Sequence, residues 1–142
     1  MIAKRAQVIL ESPQESKKIF SKLDVSILLI VPKYNFGKEK FYHYTFPIGL
    51  GYVASILKRA GYKVECLNLN RLYGDVKELM KESLDKKSYD YVCTGGNDFI
   101  FHTVKTMIET VRNHKSAPKL ILAGHILTHA PELMLEELRP DF

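Results

Sequence analysis

The 142-residue chain contains no tryptophan, only two cysteines and no long hydrophobic run. Cys66 and Cys93 do not form a CxxC pair, so cysteine alone cannot build a zinc site or an iron–sulfur cluster. No stretch approaches the roughly 18 apolar residues that span a bilayer, and the amino terminus lacks the apolar core of a signal peptide. We therefore expect a cytoplasmic protein with no membrane partner.

Two common phosphate-binding motifs are also missing. The sequence contains neither GxGxxG after its first predicted strand nor a GxxxxGKS/T loop, which disfavours a nucleotide enzyme. The net charge is +5, but lysine and arginine alternate with glutamate and aspartate, so nucleic acid is not an expected partner. No acid–base pair or nucleophile can be assigned from spacing, and no catalytic residue is predicted.

What the sequence does contain is a regular alternation of apolar strands and periodic helices. With 46% hydrophobic and 26% charged residues, the chain fits one globular domain. Continuous apolar runs predict parallel strands at 25–31, 62–69, 89–94 and 119–123. Helical periodicity and capping residues predict helices at 47–60, 76–87, 99–114 and 131–138. This order predicts an α/β domain over residues 25–142, preceded by an extension or packing helix at residues 1–24.

The first of these helices has clear boundaries. Pro47 suits a first helical turn and Gly61 suits the left-handed position just past a helix end. The residues predicted to share its sheet-facing side are Gly49, Val53, Ile56, Leu57 and Ala60.

Three strand-to-helix connections are the candidate binding region. In open parallel sheets, ligands bind beyond the carboxyl ends of the strands. The connections at 32–46, 94–98 and 124–130 each combine glycine with polar side chains at that edge. Glycine permits close backbone approach, and the next helix offers free N–H groups. Gly95, Gly96 and Gly124 could equally serve only to make turns.

A family resemblance emerges from the order of several segments. The runs FPIGLGY (46–52), LKRAGY (57–62), DYVCTGG (90–96), AG (123–124) and RPDF (139–142) resemble the cobalamin-binding domain that precedes the catalytic barrel of many radical S-adenosylmethionine enzymes. The resemblance runs from about residue 25 to the last residue. It implies a flavodoxin-like, Rossmann-type fold in three layers, with a parallel sheet of four strands, helices on both faces and a truncated fifth strand.

The resemblance also implies a cobalamin site. The corrin would lie over the carboxyl ends of the strands, and the nucleotide tail would enter near the third and fourth strands. Thr94 and Gly95 match a Ser/Thr-containing turn, and Ala123-Gly124 keeps half of a Gly-Gly turn. The Thr94 hydroxyl could then hydrogen-bond the tail. The predicted cofactor-binding residues are Tyr34, Asn35, Gly37, Thr94, Gly95, Gly96, Asn97, Gly124 and His125.

One departure from related families concerns the cobalt ligand. Cobalamin domains of methyltransferases and mutases carry Asp-x-His-x-x-Gly after the first strand, whereas this chain has PKYNFG at 32–37. Gly37 is kept, but Tyr34 replaces the histidine, so no metal ligand is predicted. His43 is an alternative cobalt ligand or a solvated loop residue, and His125 and His129 are expected to be surface or helix-start residues.

A second departure is the missing CxxxCxxC motif, so no iron–sulfur cluster is expected within this chain. The resemblance therefore implies a non-catalytic module, whose partner would be a radical S-adenosylmethionine catalytic domain. An alternative is a docking or substrate-recognition domain that has lost its cofactor and uses the aromatic loop at 32–46.

Strand placement leads to two further expectations. A missing fifth strand would leave the fourth strand as an open edge around Leu120, Ile121 and Leu122, which predicts a homodimer through that edge. Cys66 and Cys93 are expected to be buried, reduced thiols. The first strand would separate them by roughly 9–10 Å, too far for a disulfide.

Overall fold

The computed structural model describes residues 24–34 and 47–142, in which strands and helices alternate. The elements are β1 (Ser26–Val31), α1 (Ile48–Arg59), β2 (Lys63–Asn68), α2 (Val76–Lys86), β3 (Tyr91–Gly95), α3 (Phe101–Arg112), β4 (Lys119–Ala123), α4 (His125–His129) and α5 (Pro131–Leu138). Short 3-10 helices occupy Leu69–Arg71 and Asp98–Ile100. All four predicted strands and all four predicted helices are present, and α4 is additional. The predictions for residues 1–23, Asn35, Gly37 and His43 lie outside the described residues.

The four strands form one parallel sheet in the order β2-β1-β3-β4. The chain passes from β1 to β2 on one side and then crosses to β3 on the other. With right-handed crossovers, α1 covers one face while α2 and α3 cover the opposite face. The fold is therefore a three-layer, flavodoxin-like α/β arrangement, as predicted. Its switch point lies between the carboxyl ends of β1 and β3, where such folds bind ligands.

The two faces of the sheet bury separate apolar clusters, because successive strand residues point in opposite directions. On the α2 and α3 side, Leu28 and Ile30 pack with Val92, Met107 and other buried residues. The residues of α3 and the turn before it that were predicted to face inward are all buried: Ile100, Val104, Met107, Ile108 and Val111. The smaller cluster on the α1 side consists of Ile27, Leu29, Ala54 and Val64.

Helix α1 faces the sheet with a stripe that matches the predicted one only in part. Ala54 is buried, and Leu50 and Leu57 pack beside it. Ile56 is 63% exposed, so the predicted face is wrong for it, whereas Leu57 was placed correctly. Val53 is 47% exposed but lines the space between the helix and the sheet. Helix α1 is apolar around most of its circumference, so periodicity alone allows more than one buried stripe.

The prediction that β4 has an open edge is wrong for the middle of the strand, because the carboxyl-terminal residues form hydrogen bonds with it. The Leu120 carbonyl accepts hydrogen bonds from the backbone N–H groups of Asp141 and Phe142, and the Leu122 N–H donates to the Phe142 carbonyl at 3.0 Å. The Asp141 carboxylate accepts from the Leu120 N–H at 2.7 Å. The described residues therefore give no support to a homodimer through this edge.

Both cysteines are free and flank Leu29, which pairs with Cys66 on β2 and Cys93 on β3. The predicted separation by the first strand is confirmed. The prediction of buried thiols is wrong for Cys66, which is exposed, whereas Cys93 is half-buried. Burial raises the pKa of the Cys93 thiol to about 11, so this thiol stays protonated near neutral pH. No helix in the described part of the chain is long and apolar enough to cross a membrane.

Candidate functional site

A cleft of about 550 Å³ opens between α1 and the strand ends at the switch point. Helix α1 does not extend over β3 and β4, so the side chains of these strands on the α1 side of the sheet are only partly buried. Leu29, Cys93 and Ile121 contribute to the floor of the cleft, and Leu50 and Leu57 contribute from α1. None of the described residues that line it carries a charge. Such a cleft suits the binding of an apolar group better than acid–base catalysis.

The start of the connection after β1 is held by an amide that the sequence reading missed. The Asn70 side chain donates to the Pro32 carbonyl at 2.7 Å and accepts from the Tyr34 N–H at 2.8 Å. The Lys33 ammonium donates to the carbonyls of Leu72 and Gly74. These contacts fix Pro32 and Tyr34 at the mouth of the cleft, and only the 3-10 geometry after β2 brings Asn70 there.

Thr94 makes a structural hydrogen bond that the sequence did not predict. Its hydroxyl donates to the Ile30 carbonyl at 3.2 Å, and the residue is buried. By strand alternation its side chain lies on the same face as Val92, the α2 and α3 side. The hydroxyl proton therefore bridges β1 and β3 at the switch point, although the residue also lines the cleft.

The glycines after β3 and β4 meet different constraints. A Cβ atom at Gly95 would lie 1.9 Å from the Ala123 carbonyl oxygen, so this position requires glycine for the pairing of β3 with β4. Gly124 has φ +97, a conformation that favours glycine, and it lies beside the Gly96 backbone. The Ile126 N–H donates to the Gly96 carbonyl at 2.8 Å and ties α4 to the β3 connection. These glycines build the turns that form the rim of the cleft.

Gly49 is the glycine with open space in front of it. An added Cβ would meet no described heavy atom within 4 Å, and the residue lines the cleft from the first turn of α1. The sequence placed Gly49 on the sheet-facing side of the helix, and in the structure that side of the first turn borders the cleft. The absence of a side chain here keeps the cleft wide.

The structure brings together five of the nine predicted cofactor-binding residues as lining of one cleft: Tyr34, Thr94, Gly95, Gly96 and Gly124. Asn97 and His125 lie in the adjacent connections but not among its lining residues. Phe99 was missed; its ring lies 5.9 Å from the Tyr34 ring, and the side chain is largely exposed.

A polar cluster lies beside the same rim. The Asp98 carboxylate approaches the Nδ1 atoms of His129 and His125, at 2.8 and 3.6 Å. The hydrogen bond from His129 holds the pKa of the Asp98 carboxyl below its ordinary value, so the group is ionised near neutral pH. All three residues are exposed, as expected from the sequence for the two histidines.

Comparison with known proteins gives a likeness of fold. No protein-family model matches the chain, and no curated protein matches its sequence significantly. Among solved structures, the chain is similar to TsrM from Kitasatospora setae, a radical S-adenosylmethionine methyltransferase with bound cobalamin and a 4Fe–4S cluster. The TM-score is 0.68 at 18% sequence identity, over 83% of this chain and 23% of that chain. The two chains share a fold. This chain spans less than a quarter of its neighbour's length.

Proposed function

We propose that this chain is a cobalamin-binding module and that the cleft at the β1/β3 switch point receives the nucleotide tail of the cofactor. The observation that carries the proposal is the uncharged, glycine-lined cleft at the strand edge where flavodoxin-like folds bind their ligands. The fold likeness to a chain that holds cobalamin supports the choice of ligand.

The dimensions and chemistry of the cleft fit the tail. Its volume of about 550 Å³ lies within the range of small-molecule sites, about 300–1,000 Å³. The dimethylbenzimidazole ring of the tail is a flat apolar group, which suits the walls provided by Leu29, Leu50 and Ile121. The corrin is too large for this space and would stay outside it, over the strand ends.

Named residues would hold the cofactor from three sides. Gly96 and Gly124 would let the tail approach the backbone, Tyr34 would line the mouth, and Gly49 would leave room beside α1. Bound cobalamin supplies cobalt-centred alkyl-transfer or radical chemistry, while the protein positions and shields it. We further propose that a separate radical S-adenosylmethionine catalytic domain performs the reaction, because this chain lacks the cysteines for its cluster.

A titration with hydroxocobalamin tests the proposal, read by equilibrium dialysis and by the visible spectrum. The wild-type chain should bind saturably. Gly49→Leu should weaken binding about tenfold or more, since overfilling a packed site costs about 1–3 kcal/mol. Gly49→Ala is the matched control. Both substitutions replace glycine by a residue with a higher helix propensity, but only leucine reaches far into the cleft.

Two results would contradict the proposal. A folded wild-type chain that does not bind hydroxocobalamin would reject the function, and equal affinity of the wild type and Gly49→Leu would reject the assigned cleft. Circular dichroism of each variant separates loss of binding from loss of fold.

A second candidate function is docking to another domain or protein, favoured by the outer face of α1. Ile48, Tyr52 and Ile56 are 77%, 68% and 63% exposed there, although all three are large and apolar. Such patches are common at interaction surfaces. Tyr52→Glu should leave hydroxocobalamin affinity unchanged and should weaken docking, so the two functions can be separated.

A further inference from the structure

We infer that Asp98, His125 and His129 form a binding site for a divalent transition metal ion, with Zn²⁺ as the best fit. The inference does not rest on the proposed function, because these three side chains lie beside the cleft. They are also the only group of three potential metal ligands this close together in the part of the chain that the structure describes.

The fold brings the three side chains together from two connections. Asp98 begins the 3-10 helix after β3, whereas His125 and His129 are the first and last residues of α4. A separation of four residues places both imidazoles on one side of a helix. The buried Ile126 and its hydrogen bond to the Gly96 carbonyl fasten α4 against the β3 connection. The backbone of these two connections therefore holds the three side chains close together.

The distances between the ligand atoms suit a shared ion. One imidazole Nδ1 faces each oxygen of Asp98, at 2.8 Å for His129 and 3.6 Å for His125. The candidate ligand atoms all lie within 4.8 Å of one another. In a tetrahedral zinc site, ligand atoms are about 3.4 Å apart when the metal–ligand bonds are about 2.1 Å. Small side-chain rotations would bring all three atoms to that spacing.

The ligand types select the class of metal. Two imidazoles and one carboxylate are typical of zinc, cobalt, nickel and copper sites, whereas magnesium and calcium prefer oxygen ligands throughout. Three protein ligands and an exposed setting leave further positions for water. A simple ion pair would need only one histidine, and the approach of a second imidazole to the other carboxylate oxygen is what favours a metal ion.

The test is a titration of the metal-free full chain with ZnCl₂ by calorimetry, and with CoCl₂ followed by its visible spectrum. We expect one equivalent to bind, with cobalt bands of nitrogen and oxygen ligation. His125→Gln and His129→Gln should each lower Zn²⁺ affinity about tenfold or more, because even partners of metal ligands are worth 10–100-fold. His102→Gln is the matched control, since His102 is exposed on α3 outside the cluster.

The result that overturns the inference is absence of Zn²⁺ binding to the folded wild-type chain, or binding that both histidine variants retain. Zn²⁺-induced shifts in the histidine side-chain NMR signals of the wild type give a second readout that needs no variant. Shifts confined to His125 and His129 would support the site, and shifts at other histidines alone would reject it. Hydroxocobalamin binding is measured separately, so failure here leaves the proposed function standing.

Discussion

Two glycines on the rim of the cleft have opposite structural requirements. Gly95 pairs with Ala123 at the end of the sheet, and an added Cβ would overlap the Ala123 carbonyl. Gly49 faces open space in the first turn of α1. We expect Gly95→Ala to lower the free energy of unfolding by about 1–3 kcal/mol, as overpacking does, and Gly49→Ala to raise it by up to about 1 kcal/mol. Urea unfolding of both variants measures the difference.

The different surroundings of these two glycines also determine which of them can be substituted to test ligand binding. A large residue at Gly95 would disturb the pairing of β3 and β4, so any loss of binding would be ambiguous. Unchanged stability of Gly95→Ala would show that the two strands can separate locally without cost, contrary to the close contact between Gly95 and the Ala123 carbonyl.

Thr94 shows what residue type alone does not reveal. The family resemblance implied that the hydroxyl of Thr94, near the end of β3, could meet a ligand, and in the structure this hydroxyl donates to the Ile30 carbonyl. The partner is fixed by the register of β1 against β3, which depends on the whole sheet.

At the scale of elements, the carboxyl-terminal residues cover part of the edge of β4 with hydrogen bonds. The backbone of Asp141 and Phe142 pairs with Leu120 and Leu122, and the Phe142 ring lies 6.3 Å from the Tyr91 ring. Deletion of residues 141 and 142 should expose these β4 backbone groups and increase self-association through strand pairing. Analytical ultracentrifugation over a concentration series measures this change.

The control for that deletion is Phe142→Ala, which keeps the backbone hydrogen bonds and removes only the ring. It should sediment like the wild type. If the deletion variant remained monomeric at every concentration, the pairing would not protect the edge. Self-association of the wild type to the same extent would instead favour the homodimer expected from the sequence.

Helix positions were predicted more successfully than helix orientation. Helix α3 has one apolar stripe, and its predicted inner residues are buried. Helix α1 has apolar residues on several sides, and the predicted stripe was wrong for Ile56 and missed Ala54 and Leu50. The short helix α4 escaped prediction because its five residues are too few to show a period.

At the scale of the whole molecule, Asp90 joins the amino-terminal ends of three strands. Its carboxylate accepts from the Ser26 N–H at 2.7 Å and from the Ser26 hydroxyl at 3.0 Å, before β3 begins. Its carbonyl also accepts from the Lys119 N–H at the start of β4. The Ser26 backbone hydrogen bond, followed by that of the hydroxyl, lowers the pKa of the Asp90 carboxyl.

This pKa direction predicts part of the acid sensitivity of the fold. A lowered folded-state pKa gives stabilisation that is fully present above the unfolded value, about 3.9, and is lost as pH falls through the folded value. We expect Asp90→Asn to lower the free energy of unfolding by about 0.5–1.5 kcal/mol at pH 7, and by progressively less as the pH falls below about 4. Chemical unfolding at several pH values measures the difference from the wild type.

The Ser26→Ala variant provides the coupling control. Ser26→Ala should lower the free energy of unfolding more in the wild type than in Asp90→Asn. The reason is that in Asp90→Asn the Ser26 hydroxyl has no carboxylate to bind. A cost of Asp90→Asn that stays the same from pH 7 to pH 3 would contradict the role of the ionised carboxylate.

The sequence by itself determined the strands, most helix boundaries and the edge at which a ligand would bind, while the flavodoxin-like sheet came from the family resemblance. The strands, the helix boundaries and the ligand-binding edge follow from local apolar periodicity, from capping residues and from the general rule for parallel sheets, all of which are short-range or general. The tertiary structure decided the inner face of α1, the hydrogen bond of Thr94, the place of Asn70 and the pairing of residues 141 and 142 with β4. Those features depend on which distant backbone or side-chain groups come into contact, and no local pattern encodes such partners.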